Sequence, residues 1–491
     1  MLRTTFIREI TLYRYRYVIS YGLFAILLFG LLLFATGEIP RGLSTNEMHS
    51  TVTSVNINLL NPKAENVIDA PYHLLQKASV QMFGLQPASI RLPSIIIGVA
   101  TGLGMIIMLQ RWFKRNVAVL TAIIISTSVG FLSMSRTGEA LIMPTFWTVI
   151  LLLASTFVLH SRKVAYLWKA VCFVSVGLLL YSPFGVYPLV AMAVAGILHP
   201  HVRHRIKQGK AWQFLLIAVL FGIIIAPLAV AIIKDPHVGL KLLGLADINL
   251  HPGQLLDNAK QAISGLFNVG QNQVGNIVKP IFGLTTAALL LLGFLKLCTA
   301  TYSARSYMLF IWILLLVPVL ILNPTAILIV IAPAILIMAI GIETLIREWY
   351  GLFPRNPYAR IGALIPLAVL LGSVVTINIE RYFYGNHYTV TDLSVYHREL
   401  PAVRKAAITK GLRFETGDTR LVVPADQVAF YDILRREDKH LRVSDQISAQ
   451  NGDGLLVITD DARQKPTTEP HRIVTADTAR SGVLLRLYTR W

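Results

Sequence analysis

Charged residues are scarce in this chain: they make up 14% of its 491 residues, against 54% hydrophobic residues, and the mean hydropathy is +0.60. A soluble protein of this length needs more polar cover, so the composition excludes that class and predicts an α-helical polytopic membrane protein. Cysteine is rarer still, with two residues. Cys172 and Cys298 lie far apart in apolar segments, which excludes a disulfide framework and a cysteine-based zinc site.

The net charge of +19 would also suit a protein that binds nucleic acid. However, Lys and Arg concentrate in short loops between apolar runs, as the positive-inside rule predicts. The expected partner is therefore a membrane, with no nucleic acid. The basic N-terminus precedes an apolar run over 18–35 that ends at GEIPRG. This run is long for a signal-peptide core and lacks a small-residue cleavage site, so we interpret it as an uncleaved first helix.

Hydropathy predicts about eleven spanning helices. They fall near residues 18–36, 93–110, 117–134, 141–159, 166–181, 184–199, 211–232, 280–296, 306–322, 325–346 and 361–379. With the N-terminus in the cytoplasm, the Lys-rich and Arg-rich loops all lie inside. Most acidic residues before 381 then lie outside, so any carboxylate chemistry is predicted on the outer face.

An odd number of spans places the C-terminus outside as well. We therefore expect a transmembrane domain over 1–380, with outer loops 37–92 and 233–279, and an extracytoplasmic α/β domain over 381–491. In that domain, helices are predicted over 399–412 and 426–437 and strands over 419–425, 454–461 and 482–490. The second outer loop carries apolar residues at helical spacing and predicts an amphipathic surface helix.

Ionisable residues flank several apolar segments, where their desolvation is costly and a functional role is the default hypothesis. They are Glu47, His49, Asp69, Arg91, Arg136 and Glu139. Their order is informative: an Asn-Glu pair opens the first outer loop, Pro71-Tyr72 follows, then an RLPS motif from Arg91 and the segment SRTGE from Ser135. This ordered set resembles the GT-C membrane glycosyltransferases, specifically the protein O-mannosyltransferase (dolichyl-phosphate-mannose-protein mannosyltransferase-like) and aminoarabinose transferase families.

The resemblance implies an inverting transfer of a sugar from a polyprenyl-phosphate donor to an acceptor hydroxyl or amine on the outer face of a bacterial cell membrane. The acceptor would be a glycan, a lipid or a protein. The family usually has Asp-Glu where this chain has Asn46-Glu47, and its Asp is the expected catalytic carboxylate. Asn46 cannot accept a proton, so the resemblance shifts that role to Glu47. The alternative is that Glu47 only caps a helix that begins near Met48.

The departing polyprenyl phosphate needs cations. Arg91 and Arg136 lie in the motifs that resemble the family and are the predicted phosphate ligands, with Lys63 as a further candidate. The alternative for both arginines is interfacial snorkelling. Glu139 would pair with Arg136 one helical turn away or orient the acceptor, unless it forms only an ordinary ion pair.

Asp69, Pro71 and Tyr72 are predicted to shape the first outer loop, because proline restricts the residue that precedes it. We expect no cofactor and no metal site, although Glu47 and His49 leave a divalent cation open. The His199, His201 and His204 cluster is interpreted as part of a basic inner loop.

Two other function classes stay open. One is a transporter or flippase for polyprenyl-linked lipids or sugars, although the chain shows no internal repeat of the kind that such proteins often carry. The other is a non-catalytic relative that binds a lipid-linked sugar, which the Asn46 substitution favours.

Overall fold

A computed structural model describes residues 15–40, 42–58, 64–160, 165–198, 211–246, 252–267, 280–299, 304–352, 357–388, 396–408, 418–437, 440–447, 454–475 and 483–488. Spatial contacts divide the chain into two compact units. The helical unit comprises Met1–Phe34, Asn58–Pro71 and Ser94–Gly385. The mixed unit comprises Ala35–Ile57, Tyr72–Pro93 and Asn386–Trp491.

Apolar helices dominate the described residues, as the hydropathy predicts. Six are long and apolar enough to cross a membrane: Pro87–Trp112, Ala140–Leu159, Leu215–Lys234, Ala304–Leu322, Pro324–Leu352 and Ile365–Asn386. Four more are apolar but shorter: Tyr17–Leu33, Tyr166–Leu179, Val186–Leu198 and Leu284–Thr299. The membrane fold class is confirmed, and the count of eleven spans stays a prediction.

A pair of helices that is bent at a short break is the candidate for a seventh span or a re-entrant loop. Helices Arg115–Thr127 and Val129–Arg136 meet at an angle of 63°. The break lies at Ser128, which has extended backbone geometry and accepts a hydrogen bond from the Phe131 amide through its side chain. Ser128 therefore ends one helix and caps the next, which explains a bend without proline.

The last helix extends further than hydropathy suggests. A spanning segment is predicted over 361–379, with a soluble domain from residue 381, but one helix runs from Pro357 to Tyr388. The sequence IERYFYGNHY contains no proline to end it, so the helix continues through its polar residues. In residues 233–279, the predicted second outer loop, helix Pro252–Phe267 covers the predicted helical stretch 254–267. Helix His237–Leu243 reaches only Leu243 of the other stretch, 240–248, because Gly244 caps it with a φ of +72°.

The mixed unit contains a five-stranded sheet. Strands are β1 (Leu43–Ser44), β2 (Tyr396–His397), β3 (Asp418–Val422), β4 (Leu441–Ser444), β5 (Gly454–Thr459), β6 (Arg472–Thr475) and β7 (Val483–Tyr488). The strand order is β4-β3-β5-β7-β6. Strand β3 is parallel to β4 and β5, and strand β7 is antiparallel to β5 and β6. β1 and β2 form a separate antiparallel pair.

Helices Leu400–Ile408 and Val428–Tyr431 accompany the sheet, the latter followed by a 3₁₀ turn, Asp432–Arg436. The helix predicted over 426–437 is therefore a short α-helix and a 3₁₀ turn. The core of this unit includes residues of the segment 37–92, the predicted first outer loop. Met48 and Val55 belong to the same apolar cluster as Leu421, Val457 and Leu487 of the sheet. Residues near position 50 and the C-terminal strands thus share one core.

Candidate functional site

The helix Thr45–Asn56, called the site helix below, carries the Asn46-Glu47 pair. Its N-cap is Ser44, whose hydroxyl accepts a hydrogen bond from the Glu47 amide at 3.0 Å. In return, Glu47 Oε2 accepts one from the Ser44 amide at 2.9 Å. This reciprocal arrangement is a capping box, so the helix begins at Thr45 and not near Met48.

Glu47 and Arg91 form a buried ion pair. Arg91 Nε donates to Glu47 Oε1 at 2.8 Å and Arg91 Nη2 donates to Glu47 Oε2 at 2.9 Å. Both side chains have an exposed fraction of 0%. The two parallel bonds match the planar fork of a guanidinium to a carboxylate, which is the strongest geometry for such a pair.

Arg91 also holds the turn that leads into the site helix. Its Nη1 donates to the carbonyl oxygens of Thr36 at 2.5 Å and Pro40 at 3.2 Å, and its Nη2 donates to that of Gly42 at 2.6 Å. Every nitrogen of the guanidinium thus contacts protein. Direct contact between Arg91 and a donor phosphate would require these bonds to be exchanged.

The exposed face of the site helix carries different residues. Asn46 and His49 are exposed, whereas Glu47 and Met48 are buried. Glu47 and His49 therefore point to different surroundings, which does not favour a shared cation. The predicted site residue Asn46 is accessible, and the predicted base Glu47 is engaged on both carboxylate oxygens.

A buried polar network beside the site helix was not predicted from the sequence. The Ser54 hydroxyl lies 2.7 Å from His73 Nδ1 and 2.5 Å from Gln76 Oε1, and Gln76 Nε2 donates to the Ile90 carbonyl at 3.2 Å. Burial lowers the pKa of His73 to about 4, with a smaller contribution from the charge of His49. Polar residues four apart in the site helix (Ser50 and Ser54) and three apart in the next helix (His73 and Gln76) were the available signal.

Asp69 has an unusual conformation in the helical unit. Its φ is +53°, in the left-handed region, and its amide donates to the Tyr181 carbonyl at 2.9 Å. Among the described residues, its buried Oδ1 has no hydrogen-bond partner. Burial raises the pKa of the Asp69 carboxyl from 3.8 to about 7, and a hydrogen bond with Ser182 opposes part of this shift. Helix Ala70–Phe83 begins directly after Asp69, with Pro71 in its first turn and Tyr72 buried.

Arg136 is buried at the end of helix Val129–Arg136. Its Nη1 and Nη2 donate to the carbonyls of Leu31 at 2.8 Å and Phe34 at 2.6 Å, and its guanidinium lies 4.9 Å from the centre of the Phe383 ring. These carbonyls end helix Arg16–Leu33, where the helix dipole favours a cation.

Glu139 does not share a helix with Arg136. Thr137 and Glu139 both have extended backbone geometry, and Glu139 precedes the 3₁₀ turn Ala140–Ile142. The predicted one-turn spacing between Arg136 and Glu139 is therefore wrong, because the helix ends at Arg136. The Glu139 carbonyl accepts a hydrogen bond from Ser94 at 3.2 Å. Lys63 and the His199, His201 and His204 cluster lie outside the described residues.

A family model matches part of the sequence, and solved structures share the fold. Residues 71–230 match the family model of dolichyl-phosphate-mannose-protein mannosyltransferases. No curated protein matches the full sequence. Among solved structures, ArnT from Cupriavidus metallidurans in the apo state is similar with a TM-score of 0.57 and 13% identity, covering 96% of this chain and 97% of that one.

Two further structures share the fold. ArnT from the same organism bound to undecaprenyl phosphate has a TM-score of 0.54 at 13% identity, covering 96% of this chain and 98% of that one. The Archaeoglobus fulgidus oligosaccharyltransferase tethered with an acceptor peptide has a TM-score of 0.51 at 13% identity, covering 88% of this chain and 64% of that one. The resemblance to GT-C glycosyltransferases is thus confirmed in the fold and, over residues 71–230, in the family model.

Proposed function

We propose that this protein transfers a sugar from a polyprenyl-phosphate donor to an acceptor hydroxyl or amine, with inversion at the anomeric carbon. The family-model match over residues 71–230 carries this proposal. The fold supports it, because one similar structure holds undecaprenyl phosphate and another is tethered to an acceptor peptide.

An apolar cavity in the helical unit supports the lipid part of the proposal. Its volume is about 630 Å³, and the residues that line it include Leu266, Phe282, Phe294, Leu316, Pro333 and Ile337. A hydrocarbon chain that enters from the bilayer loses no apolar surroundings in such a cavity, and it gains close packing against these side chains. We assign this cavity to part of the polyprenyl chain.

The chemistry requires a proton acceptor and a phosphate ligand. The acceptor oxygen or nitrogen bonds to the anomeric carbon, the bond from that carbon to the phosphate oxygen breaks, and the acceptor's proton must leave. Two carboxyl groups are candidates for the proton: Glu47, at the position that the family motif indicates, and Asp69, whose pKa of about 7 suits a base at neutral pH. Arg136 is the proposed phosphate ligand, because it lies in the second motif that resembles the family and its guanidinium is held in place by the carbonyls of Leu31 and Phe34.

In this proposal, Glu47 and Arg91 also have a positioning role. Their ion pair and the capping box fix the first turn of the site helix, which exposes Asn46 and His49. Glu47 can accept a proton only after at least one of its bonds to Arg91 or Ser44 is released. In Asp69, the Oδ1 atom has no hydrogen-bond partner among the described residues, although Ser182 is hydrogen-bonded to the same carboxyl.

The test is release of polyprenyl phosphate from labelled polyprenyl-phosphate sugars by the purified protein. Glu47→Gln and Asp69→Asn, each corrected for the folded fraction, should separate the two bases: loss of a general base lowers turnover by about 10²–10⁴-fold. Full activity in both variants would remove both carboxyls from the chemistry. No release from any donor would overturn the proposal.

A second candidate is a non-catalytic relative that binds a lipid-linked sugar. The exposed, non-ionisable Asn46 favours it, because the family motif has a carboxylate there. Saturable binding of a polyprenyl-phosphate sugar without release of polyprenyl phosphate would support this second function.

We also propose that the N-terminus is cytoplasmic and that the first outer loop and the C-terminal residues lie on the outer face of a bacterial cell membrane. The distribution of Lys and Arg supports this orientation. Reporter fusions near residues 113 and 353 should report cytoplasm, and fusions near 60 and 430 should report the outside. A cytoplasmic signal at 430 would contradict the orientation.

A further inference from the structure

Three potential metal ligands converge at one edge of the mixed unit. His397 ends β2, Glu399 directly precedes helix Leu400–Ile408, and Asp461 follows β5. One ligand atom from each lies within 4.8 Å of the others. The distance from His397 Nδ1 to Asp461 Oδ2 is 3.7 Å. His397 and Glu399 are two residues apart, but Asp461 lies 62 residues after Glu399, so no local motif predicts the cluster.

Two buried polar atoms in this cluster lack a partner among the described residues. Glu399 is only 7% exposed, and its Oε2 accepts no hydrogen bond; the fully buried Tyr431 hydroxyl likewise has none. An unmatched buried carboxylate oxygen costs about 1–3 kcal/mol or more, and a cation would remove that cost.

The imidazole has the electronic state that a metal needs. Gln427 Nε2 lies 3.1 Å from His397 Nδ1, and an amide nitrogen can only donate, so Nδ1 is unprotonated and accepts this hydrogen bond, which a metal bound at Nδ1 would replace. The ligand set is therefore one imidazole nitrogen and two carboxylates. Imidazole suits zinc and its neighbours in the first transition series better than Mg²⁺ or Ca²⁺.

We propose that His397, Glu399 and Asp461 bind one divalent transition-metal ion of the Zn²⁺ class, with water in the remaining position. Zinc binds nitrogen and oxygen ligands at about 2.0–2.2 Å, so tetrahedral ligand atoms lie about 3.4 Å apart. The three atoms, now up to 4.8 Å apart, must therefore approach one another by as much as about 1.4 Å. Asp461 is free to make that adjustment, because 57% of its side chain is exposed.

The bound metal would stabilise the turn that leads into the site helix. His397 pairs with Leu43 in the β1-β2 ladder, and the neighbouring Gly42 carbonyl accepts a hydrogen bond from Arg91. A Cβ at Gly42 would lie 2.3 Å from the His397 carbonyl oxygen, so the two backbones are in close contact. Fixing His397 therefore fixes the segment that carries the Arg91 and Glu47 pair. This inference is independent of the proposed glycosyl transfer.

The experiment uses the full chain, purified without a polyhistidine tag, stripped with a chelator and titrated with Zn²⁺. Calorimetry and elemental analysis should give one ion per chain, and amide exchange at Leu43 and Ser44 should slow when the ion binds. Glu399→Gln and Asp461→Asn should each weaken affinity by at least the roughly 10–100-fold that loss of an outer-shell partner costs. Asp426→Asn, which removes an exposed carboxylate near Gln427, is the matched control and should bind like the unaltered chain.

Retention of full stoichiometry and affinity in Asp461→Asn would overturn the site, as would no Zn²⁺ binding by the stripped protein. Because Asp461 is half-exposed, its replacement tests the ligand set even if Glu399→Gln fails to fold.

Discussion

Glu47 binds Arg91 through two parallel hydrogen bonds of 2.8 and 2.9 Å, although 44 residues separate them in the chain. The same carboxylate closes the capping box of the site helix. One side chain therefore fixes the start of a helix and neutralises a buried guanidinium. The two motifs that first suggested a glycosyltransferase, Asn46-Glu47 and the RLPS segment from Arg91, are in direct contact.

Removing one member of this pair should destabilise the protein strongly. Glu47→Gln leaves the buried Arg91 without a counter-charge, a loss of about 3–5 kcal/mol for such pairs. Glu47→Leu combined with Arg91→Met should recover part of that loss, because both charges are then absent. Thermal unfolding in detergent measures both effects.

The matched control is Arg404→Met. Arg404 pairs with Glu437 in the same unit at 3.1 Å, but both side chains are partly exposed, at 32% and 25%. Exposed pairs contribute about 0–1 kcal/mol. A Glu47→Gln protein no less stable than this control would show that the ion pair does not hold the turn.

Gly42→Ala should also destabilise the turn. Gly42 has a φ of +84°, and an added Cβ would lie 2.3 Å from the His397 carbonyl oxygen. Backbone strain in the left-handed region alone costs about 1–3 kcal/mol, and the collision adds to it. Gly37→Ala is the control, because nothing lies within 4 Å of its added Cβ. Equal melting temperatures for the two variants would contradict the observed contact between Gly42 and His397.

Asp69 should give the protein a measurable pH dependence. Its carboxyl has a pKa of about 7 when folded and 3.8 as the free group, so the folded state binds a proton more tightly. The free energy of unfolding should therefore fall as pH rises through this window, by about 1.4 kcal/mol per pH unit from this group, and level off above pH 7.

Asp69→Asn should remove that slope, whereas Asp257→Asn should keep it, since 76% of the Asp257 side chain is exposed. Melting temperatures across the pH range measure both. A slope that survives in Asp69→Asn would assign the pH dependence to another group.

Asn46→Asp restores the carboxylate that the family motif carries. The position is exposed in the first turn of the site helix, where a negative charge gains about 0.3–1 kcal/mol from the helix dipole, so the variant should fold at least as well. We expect polyprenyl phosphate release to be maintained or increased. Asn46→Ala is the control for side-chain loss alone. Lower turnover in Asn46→Asp than in Asn46→Ala would show that a charge here interferes with the donor or acceptor.

The sequence indicates local features better than long-range ones. Hydropathy located the apolar helices because a membrane helix is defined by its own residues. The S-x-x-E capping signature at Ser44 and Glu47 was also present in the sequence, but the helix start was expected near Met48. Strands β4 and β6 were not predicted, since each has only four residues, and β6 is also largely exposed.

The pairing of Glu47 with Arg91 could not be predicted, because it depends on the turn at 36–42 and on an apolar core shared with residues beyond 400. The continuation of the last helix to Tyr388 could not be predicted for a different reason: its polar end gives no hydropathy signal.

Strand β1 pairs with β2, and the core of the site helix includes β-strand residues from the end of the chain. During synthesis, residues 43–57 leave the ribosome long before 396–488 exist. Residues 43–57 must therefore remain without this part of their core, with Met48 and Val55 uncovered, until those strands have been synthesised. A protein truncated before Tyr396 would retain its apolar helices but would not complete the segment that holds Asn46.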